Sequence, residues 1–345
     1  MAVNWLESWL KNKWVHHGLR LVFATLITVL LFPFKLDLLE FTTFDWRMQL
    51  SPRPAVSDKV VLLSIDQSTL RKLKREPEAL DWAVVLQKLA QASPADVVTF
   101  INPTQIQGSY DDLSMLSEIM GRMPFYFGEN DLPKTGIAKM DPLAAPFENI
   151  AVEATPKTTD RNVLAKDGVT RRGILTYETR FLLFPIIAQK FNGIDNVEGY
   201  SGAFQFLESA QVLIRYRTKG AYPTLKFIDV LENPIDASMV KGKIVLIGKD
   251  TLENSADYLT TPMSKDLLAL SKLEMYANQL DTLILNQAPR FSPDWVKLIF
   301  TFIISLLTIY IVLYVRPGKG LLLLALTVGV YLLFSLGLFA GLRWV

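Results

Sequence analysis

The sequence predicts an α/β domain, with a largely parallel sheet flanked by helices, joined to three transmembrane helices. Three observations indicate this fold class. Half of the 345 residues are hydrophobic and only 20% are charged, whereas soluble domains average about 25% charged residues. Long apolar stretches lie near both ends of the chain. Between them, short β-branched runs alternate with amphipathic helical patterns, which is typical of buried parallel strands and their crossover helices.

The first 36 residues are expected to hold an interfacial amphipathic helix (1–17) and the first transmembrane helix (18–36). Trp5, Trp9 and Trp14 recur at helical spacing, which suits a helix lying at the level of the lipid headgroups. The alternative is that this segment extends the spanning helix. No small-residue cleavage site follows the apolar stretch, so an uncleaved anchor is favoured over a removable signal peptide.

Two more transmembrane helices are predicted at 296–315 and 321–342, joined by a short turn at 316–320. Both stretches are almost entirely apolar, and each is long enough to cross a hydrocarbon core of about 30 Å. Gly337 and Gly341 form a GxxxG pattern in the last stretch. Since glycine lets helix backbones approach closely, these two residues are predicted to pack against another helix.

The basic residues predict the orientation of the chain. Arg316 and Lys319 lie in the short turn, and Lys13 and Arg20 lie around the start of the first transmembrane helix. Because cytoplasmic segments are enriched in Lys and Arg, both regions are expected in the cytoplasm. Residues 40–294 are then expected outside it, in the periplasm of a bacterial inner-membrane protein.

Apolar runs and amphipathic repeats predict the elements of residues 40–294. Strands are expected where short apolar runs occur, and helices where apolar residues recur every three or four positions. Asp111 and Asp112 are expected in a polar loop. The predicted strands are 60–65, 96–101, 123–127, 212–216 and 243–247, and the predicted helices are 81–92, 181–191, 227–232 and 273–285.

The composition excludes several kinds of site. The chain has no Cys, and its two His residues, His16 and His17, lie beside the first transmembrane helix. A disulfide framework, a zinc–thiolate site, a His-based metal site and a Ser-His-Asp triad are therefore excluded from residues 40–294. We expect a protein that is not an enzyme and binds no metal or cofactor. The acidic excess of residues 40–294 argues against a nucleic acid partner.

The order of several landmarks resembles the CHASE-2 family, an extracytoplasmic sensory domain found in bacterial receptors. The resemblance covers roughly residues 40–290, and the paired helices that follow also look like the family. It implies a sensory α/β domain anchored in a membrane. The matching landmarks are 44–47 (FDWR), 60–66 (VVLLSID), 167–172 (DGVTRR), 241–248 (KGKIVLIG), Asp257, Thr261 with Pro262, and the helix carrying Glu274 and Ala277.

Two positions depart from what the resemblance implies. Residues 75–80 (REPEAL) stand where the family tends to carry a Trp/Pro/Arg-rich segment, and Asn102 stands where it tends to have Asp. Both positions are expected near the carboxyl ends of the strands, where open α/β sheets bind ligands. The departures argue against a family-like ligand pocket. Family members also tend to continue into a cyclase, kinase or similar output domain, which is not expected here.

Six residues are candidates for a ligand or interaction site: Asp66, Asn102, Arg171, Arg172, Asp257 and Thr261. Asp66 follows the first strand and has two alternative roles, facing a ligand or capping the next helix. Arg171 and Arg172 either bind an anion or pair with nearby acids. Asp257 and Thr261 are expected to fix a loop. None of the six is expected to be catalytic.

We expect a non-enzymatic accessory subunit whose periplasmic domain and membrane helices bind, stabilise or help assemble a partner membrane protein. The alternative is a sensor that binds a small periplasmic ligand and passes a signal to a separate kinase or cyclase. A polar pocket at the strand ends would favour the sensor, and strand ends blocked by their own side chains would favour the accessory subunit. The expected partners are a membrane protein or complex and the lipid bilayer, and homo-oligomerisation is left open.

Overall fold

The computed structural model describes residues 13–33, 37–130, 140–155, 167–252, 254–263 and 270–345. Trp5 and Trp9 lie outside the described residues. The chain divides into two compact units. The first, which we call the membrane unit, combines Met1–Ser51 with Arg290–Val345, and the second, the α/β unit, is Pro52–Pro289.

Helices form most of the membrane unit and flank the strands of the α/β unit. Short 3₁₀ turns occur at Pro103–Gln105 and Ser255–Asp257. In chain order, the described helices are α1 (Lys13–Leu31), α2 (Asp37–Leu50), α3 (Gln67–Leu73), α4 (Ala79–Gln91), α5 (Tyr110–Gly121), α6 (Leu183–Asn192), α7 (Phe227–Glu232), α8 (Ala237–Val240), α9 (Lys272–Ile284), α10 (Asp294–Tyr314) and α11 (Pro317–Leu342).

The described strands all belong to the α/β unit and pair into three sheets. One sheet is parallel, with the order β4-β3-β2-β10-β1-β9, and the other two, β6-β5-β8-β7 and β11-β12, are antiparallel. The strands are β1 (Val60–Asp66), β2 (Asp96–Thr99), β3 (Phe125–Glu129), β4 (Ala151–Ala154), β5 (Arg172–Tyr177), β6 (Arg180–Phe181), β7 (Phe204–Phe206), β8 (Ser209–Leu213), β9 (Thr224–Lys226), β10 (Ile244–Asp250), β11 (Tyr258–Leu259) and β12 (Leu270–Ser271).

The parallel sheet confirms the predicted fold class. β1 and β10 lie next to each other at its centre, with Val60 opposite Ile244 and Asp66 opposite Asp250. The first five residues of each strand are buried, as expected for strands that are covered on both faces. In the short antiparallel sheet β6-β5-β8-β7, the predicted apolar runs overlap only the end of β8.

Successive residues of the central strands point into two separate cores. Leu62 points to the face covered by α6, α9 and the antiparallel sheet. Leu63 points to the opposite face, which α4, α5 and α7 cover. On that face, Trp82 of α4 packs edge-on against Phe227 of α7, with ring centroids 5.2 Å apart. The alternation of side chains along a strand therefore decides which helices each residue meets.

The prediction that Asp111 and Asp112 lie in a polar loop is wrong. Both residues form the first turn of α5. Ser109 and Asp112 make a capping box, in which the side chain of each accepts a hydrogen bond from the backbone N–H of the other. Since acidic side chains are favourable at a helix N-terminus, the same acids that look like a loop in sequence stabilise this helix.

The predicted strand 212–216 is displaced by three residues, because β8 begins at Ser209 and ends at Leu213. Beyond it, the backbone bonds to side chains of α9 rather than continuing as a strand. The N–H of Arg215 donates to Thr282 Oγ1 at 3.1 Å, and the N–H of Arg217 donates to Asn278 Oδ1 at 2.7 Å. The backbone of this segment is therefore hydrogen-bonded to polar side chains of a helix rather than to a neighbouring strand.

Among the described residues of the membrane unit, three helices are long and apolar enough to cross a membrane: Trp14–Leu31, Asp294–Tyr314 and Pro317–Leu342. The predicted interfacial segment, so far as it is described, is continuous with the first of these helices. Trp14 within it is 82% exposed. Residues 317–320, predicted as part of a turn, form the first turn of α11, where Pro317 suits the first helical position.

The three candidate spans alternate in direction. His17 Nδ1 lies 2.8 Å from the hydroxyl of Tyr310, which places the start of α1 beside the end of α10. The N–H of Arg290 donates to the carbonyl of Arg343 at 2.8 Å, and the N–H of Val345 donates to the carbonyl of Arg290 at 2.7 Å. The end of α11 therefore returns to the start of α10.

Helix α2, which the sequence did not predict, packs on α11 within the membrane unit. The rings of Phe44 and Phe339 meet edge-on with centroids 6.0 Å apart. Arg47 Nη1 donates to Ser335 Oγ at 3.1 Å. Both α2 residues belong to the FDWR landmark, so this motif serves to dock α2 on a candidate span.

Candidate functional site

The carboxyl ends of β1 and β10 form the edge at which the sequence predicts a candidate site. Asp66 and Asp250 are neighbours in the register of these two parallel strands. After β1 the chain turns to α4 on one face of the sheet, whereas α9, which comes after β10, covers the other face. Such a change of face is a topological switch point, where open α/β sheets form a crevice for ligands.

Asp66 at this edge caps α3. Its Oδ1 accepts hydrogen bonds from the backbone N–H of Thr69 at 2.9 Å and from the hydroxyl of Ser68 at 2.7 Å. The ammonium of Lys226 lies 3.5 Å from Oδ2. Burial raises the pKa of Asp66, but these hydrogen bonds and the Lys226 charge outweigh burial and bring the pKa below its usual value. Of its two alternative roles, the structure displays the helix cap.

Asn102 and Asp257 organise the loops that follow β2 and β10. Asn102 Oδ1 accepts from the N–H of Thr104 at 3.0 Å and so caps the 3₁₀ turn Pro103–Gln105. Asp257 Oδ2 accepts from the hydroxyl of Thr251 at 2.6 Å. Both side chains bond to groups a few residues away in sequence, which is the ordinary behaviour of Asn and Asp in turns.

Arg171 and Arg172 are engaged by their own chain. Arg171 is buried, and its Nη1 and Nη2 donate to the two carboxylate oxygens of Asp167 at 2.9 and 2.6 Å. Burial raises the pKa of Asp167, but the pairing with Arg171 outweighs burial and brings the pKa below its usual value. The guanidinium of Arg172 lies over the rings of Phe204 and Phe206, 5.5 and 4.9 Å from their centroids.

Thr261 lies on a segment that runs beside the one carrying Arg171. The N–H of Thr170 donates to the carbonyl of Thr260 at 2.9 Å, and Thr261 itself is fully buried. Of the six candidate residues, the structure thus brings the segments of Arg171 and Thr261 together. It places Asp66, Asn102 and Asp257 in capping or loop roles after three separate strands.

One side of α9 carries a buried polar cluster that the sequence did not identify. Residues 273–283 of this helix are all buried. Burying polar and charged groups is unfavourable unless they are bonded. Their partners come from the stretch after β8 and from the stretch that leads into β1. The polar members on this side of α9 are Glu274, Asn278, Asp281 and Thr282.

Arg217 and Asp281 form an ion pair in this cluster. Arg217 Nη2 lies 2.8 Å from Asp281 Oδ2, and the two side chains are 1% and 0% exposed. Arg217 also donates through Nη1 to the carbonyl of Arg215 at 2.7 Å and through Nη2 to the carbonyl of Ala55 at 3.3 Å. The N–H of Ser57 donates to Asp281 Oδ1 at 3.2 Å. The pair therefore joins three segments that are distant in sequence.

Two further side chains of α9 hold the stretch after β8. Asn278 Oδ1 accepts from the N–H of Arg217 at 2.7 Å, and Glu274 Oε1 accepts from the N–H of Gly220 at 2.5 Å. Burial raises the pKa of Glu274, although the backbone donors of Gly220 and Ala221 act to lower it. The backbone of this stretch is thus built on polar groups of one helix.

The sequence signal for this cluster was present but ambiguous. Glu274, Asn278 and Asp281 recur three or four residues apart, as the polar stripe of an amphipathic helix does. Such a stripe normally faces solvent while the apolar side packs on the core. Here the polar stripe is buried as well, because the stretch after β8, which has no regular secondary structure, lies over it. The periodicity of the helix does not show that such a stretch packs on it. Arg217 belongs to no pattern that would single it out.

A surface cavity of about 500 Å³ lies away from all these groups. Lys88, Glu232 and Ile235 are among its lining residues. The ammonium of Lys88 donates to the carbonyls of Val230 and Leu231 at 2.7 and 2.9 Å. It therefore satisfies carbonyl groups in the last turn of α7. Since α4 leads directly into β2, the cavity is near the amino end of a strand, opposite to the edge where α/β sheets bind ligands.

Comparison with known proteins identifies the family. A model of the CHASE2 domain matches residues 21–311, which is most of the chain. Neither the curated proteins nor the solved structures give a match. The matched region contains the FDWR landmark, the six candidate residues, both central strands and the buried cluster of α9. The chain therefore belongs to the CHASE2 domain family, a family of extracytoplasmic sensory domains.

Proposed function

We propose that this chain is a membrane-anchored sensor whose domain lies outside the cytoplasm and whose helices pass the state of that domain to a partner membrane protein. The sensory character comes from the family. The observation that carries the proposal is the Arg217–Asp281 ion pair. It fixes the stretch by which the chain enters the α/β unit, and it does so on the helix that precedes the second candidate span.

The incoming stretch, residues 52–59, is fastened to this pair by backbone groups. The carbonyl of Ala55 accepts from Arg217, and the N–H of Ser57 donates to Asp281. Both contacts use backbone groups of Ala55 and Ser57. They therefore fix the path of the chain and do not depend on which side chains these two positions carry. A change in the separation of Arg217 and Asp281 must therefore move the incoming stretch.

The outgoing stretch after α9 is fixed as well. The side-chain Oδ1 of Asn286 accepts from the N–H of Ser201 at 2.6 Å, and the hydroxyl of Ser201 donates to the carbonyl of Ala288 at 3.3 Å. Gly202, with φ +70°, lies so close to Pro289 that a Cβ would sit 2.2 Å from the carbonyl oxygen. The outgoing stretch thus depends on one tight turn and on α9.

These stretches give α9 a covalent route to the candidate spans. The incoming stretch continues from α2, which bonds to α11 through Arg47 and Ser335. The outgoing stretch continues into α10. To transmit a signal, a protein needs an element that can adopt two arrangements. Both the stimulus and the output partner must shift the equilibrium between these arrangements. We assign that role to α9 together with its buried ion pair.

The charges of the membrane unit support the extracytoplasmic placement. Arg20 of α1 lies over the ring of Tyr314. Tyr314 comes two residues before Arg316 in the sequence. Arg20 and the basic residues between α10 and α11 are therefore at the same end of the helices. Under the positive-inside rule this end is cytoplasmic. The opposite end, where the chain continues into Pro52–Pro289, is then outside.

Spin labels on two spans test the proposed transmission. The chain has no Cys, so Val22→Cys and Val312→Cys provide unique labelling positions, and both side chains are exposed. In vesicles, Asp281→Asn should shift or broaden the distribution of label-to-label distances relative to the parent chain, because loss of one charge loosens the incoming stretch. Pulsed electron paramagnetic resonance measures this distribution.

Asp58→Asn is the matched control. Asp58 lies in the same incoming stretch, but its side chain is 77% exposed, so its replacement should leave the distances unchanged. Arg217→Lys is a second variant of the pair, which keeps the charge and loses the planar fork. Protease resistance of residues 52–289 shows which variants are folded. Unchanged distances in folded variants of the pair would contradict the proposal.

A second candidate function, an accessory subunit that stabilises or helps assemble a partner, has its own support. The candidate side chains Asp66, Asn102 and Asp257 at the strand ends are bonded to their own chain. Purification in several mild detergents tests this function. A membrane protein that co-purifies throughout, and whose abundance falls when the chain is deleted, would support it. Recovery of the chain alone in every detergent would exclude it.

A further inference from the structure

One end of the membrane unit carries positive charge that acidic residues do not neutralise. Arg20 lies on α1, and Arg316 and Lys319 lie at the start of α11. The sequence has no Asp or Glu between residues 8 and 36 or between residues 295 and 345. Within the described residues, these three cations form no salt bridge.

The guanidinium of Arg20 is positioned by aromatic rings. It lies over Tyr314 at 4.6 Å and over Tyr310 at 5.4 Å from the ring centroids. The hydroxyl of Tyr310 is bonded to His17 Nδ1 at 2.8 Å, and Arg20 Nη1 has a long contact of 3.5 Å with the same nitrogen. Since cation–π contacts use the face of the guanidinium, most of its N–H edge stays available for an acceptor.

The first turn of α11 belongs to the same end of the unit. A Cβ built on Gly320 would lie 3.7 Å from Ile311, so this turn packs back on α10. Trp14, which is 82% exposed, marks the same end on α1. Exposed Trp and Tyr side chains at the end of a spanning helix are typical of the headgroup region of a bilayer. These aromatic side chains are the reason for placing the cations at the depth of the lipid phosphates.

We propose that this end of the membrane unit binds the phosphate of an anionic phospholipid, with Arg20 as the main ligand and with Arg316 and Lys319 supplying the surrounding charge. A guanidinium matches the oxygens of a phosphate group with parallel N–H donors. Clusters of cations at the cytoplasmic surface attract anionic lipids. A lipid suits this place better than a soluble anion, because the apolar surfaces of α1 and α10 lie directly beside the cations and contact acyl chains.

Native mass spectrometry of the full chain tests this proposal. The protein is released from vesicles of phosphatidylcholine that contain a minor fraction of phosphatidylglycerol, and the bound lipids are counted. Wild type should retain phosphatidylglycerol in excess of its share of the vesicle. Arg20→Gln should lower this enrichment about fivefold, the effect expected of one basic residue at an anionic surface. Tyr314→Leu should lower it partially, because the guanidinium loses a ring that positions it.

Lys297→Gln is the control, because Lys297 is also on α10 but lies at its opposite end, 3.8 Å from Asp294. It should retain the wild-type enrichment. Inorganic phosphate added to the vesicles separates a lipid site from a site for soluble anions. Enrichment that Arg20→Gln and Tyr314→Leu both leave intact would overturn the proposal. So would displacement of phosphatidylglycerol by inorganic phosphate.

Discussion

Arg217 and Asp281 meet 2.8 Å apart in the interior of the α/β unit. A buried ion pair contributes little net stability, because removing two charges from water costs about as much as their attraction returns. Its value here lies in geometry, since the two side chains also bond the backbone at Ala55 and Ser57. The pair therefore specifies where a distant part of the chain runs.

Removing one partner of this pair should be much more damaging than removing both. Asp281→Ala leaves a buried guanidinium without its counterion and should lower the free energy of unfolding by about 3–5 kcal/mol. Arg217→Met combined with Asp281→Leu should recover a large part of this loss. Chemical unfolding of the full chain in detergent measures both. A single variant as stable as the double variant would contradict this account.

Glu274 predicts a pH dependence of stability. Burial raises its pKa in the folded state above the ordinary value of 4.5, so the folded protein holds this proton more tightly than the unfolded chain does. The resulting stability is fully present below the unfolded pKa and is lost as the pH rises through the folded pKa. Glu274→Gln cannot titrate, so its stability relative to wild type should improve as the pH rises above 4.5 and through the raised folded-state pKa of Glu274.

Unfolding curves of the Glu274→Gln variant and wild type at several pH values measure this difference. The nearby charges of Asp250 and Lys219 are common to both proteins, so they cancel in the comparison. A difference that is the same at every pH would show that Glu274 does not titrate in this range.

Sequence reasoning reached part of the chemistry at the residue scale. It identified the cap and the loop roles as alternatives for Asp66 and Asp257, because these residues follow strands and precede turns. It could not identify Arg217, whose importance comes from contacts with α9 and with the stretch before β1. Such contacts between distant segments leave no local pattern.

Helix α3 depends on its cap. Asp66 accepts from the N–H of Thr69, and this bond satisfies one of the free donors of the first turn. Asp66→Ala should lower the free energy of unfolding by about 1 kcal/mol, whereas Asp66→Asn should cost only a fraction of that, since Asn also caps well. Thermal unfolding of both variants measures the effect. Equal losses in the two variants would show that charge, rather than capping, is what counts.

Helix α11 presents its GxxxG face away from the described chain. A Cβ on Gly337 or Gly341 would meet nothing within 4 Å, so packing at these residues requires another helix. Gly337→Leu with Gly341→Leu should leave the stability of residues 52–289 unchanged and should reduce cross-linking to a neighbouring membrane helix. Val328→Leu on the same helix is the control. Cross-linking that survives the double substitution would exclude this face as an interface.

The elements that sequence reasoning placed best are the buried strands. The run at 60–65 predicted β1 because continuous apolar residues need cover on both faces. Two of the helices that it missed, α2 and α5, carry acids within otherwise apolar patterns. Those acids weaken the apparent periodicity, although at the start of α5 they act as caps.

Because the chain has no Cys, single introduced Cys residues can report the orientation of the molecule in the membrane. Glu118→Cys lies on α5 at a position whose side chain is 69% exposed, and Lys319→Cys lies at the start of α11. A maleimide that cannot cross membranes should label the first in spheroplasts and the second only after lysis. The reverse pattern would invert the proposed topology.

At the scale of the whole molecule, hydropathy predicted the three candidate spans, because the length of an apolar stretch can be read from the sequence alone. Composition and periodicity predicted the fold class, and the landmarks predicted the family. The function of the strand-end residues could not be predicted in the same way, because the same Asp or Asn serves equally well as a ligand or as a cap.

The backbone contacts of Ala55 and Ser57 have a practical consequence for grafting this domain onto another protein. The first strand begins at Val60, which makes it an inviting place to cut. A fragment that started there would discard both contacts and leave two interior charges short of partners. Splice sites for a chimaeric receptor or a crystallisation fragment therefore belong before Pro52 and after Pro289.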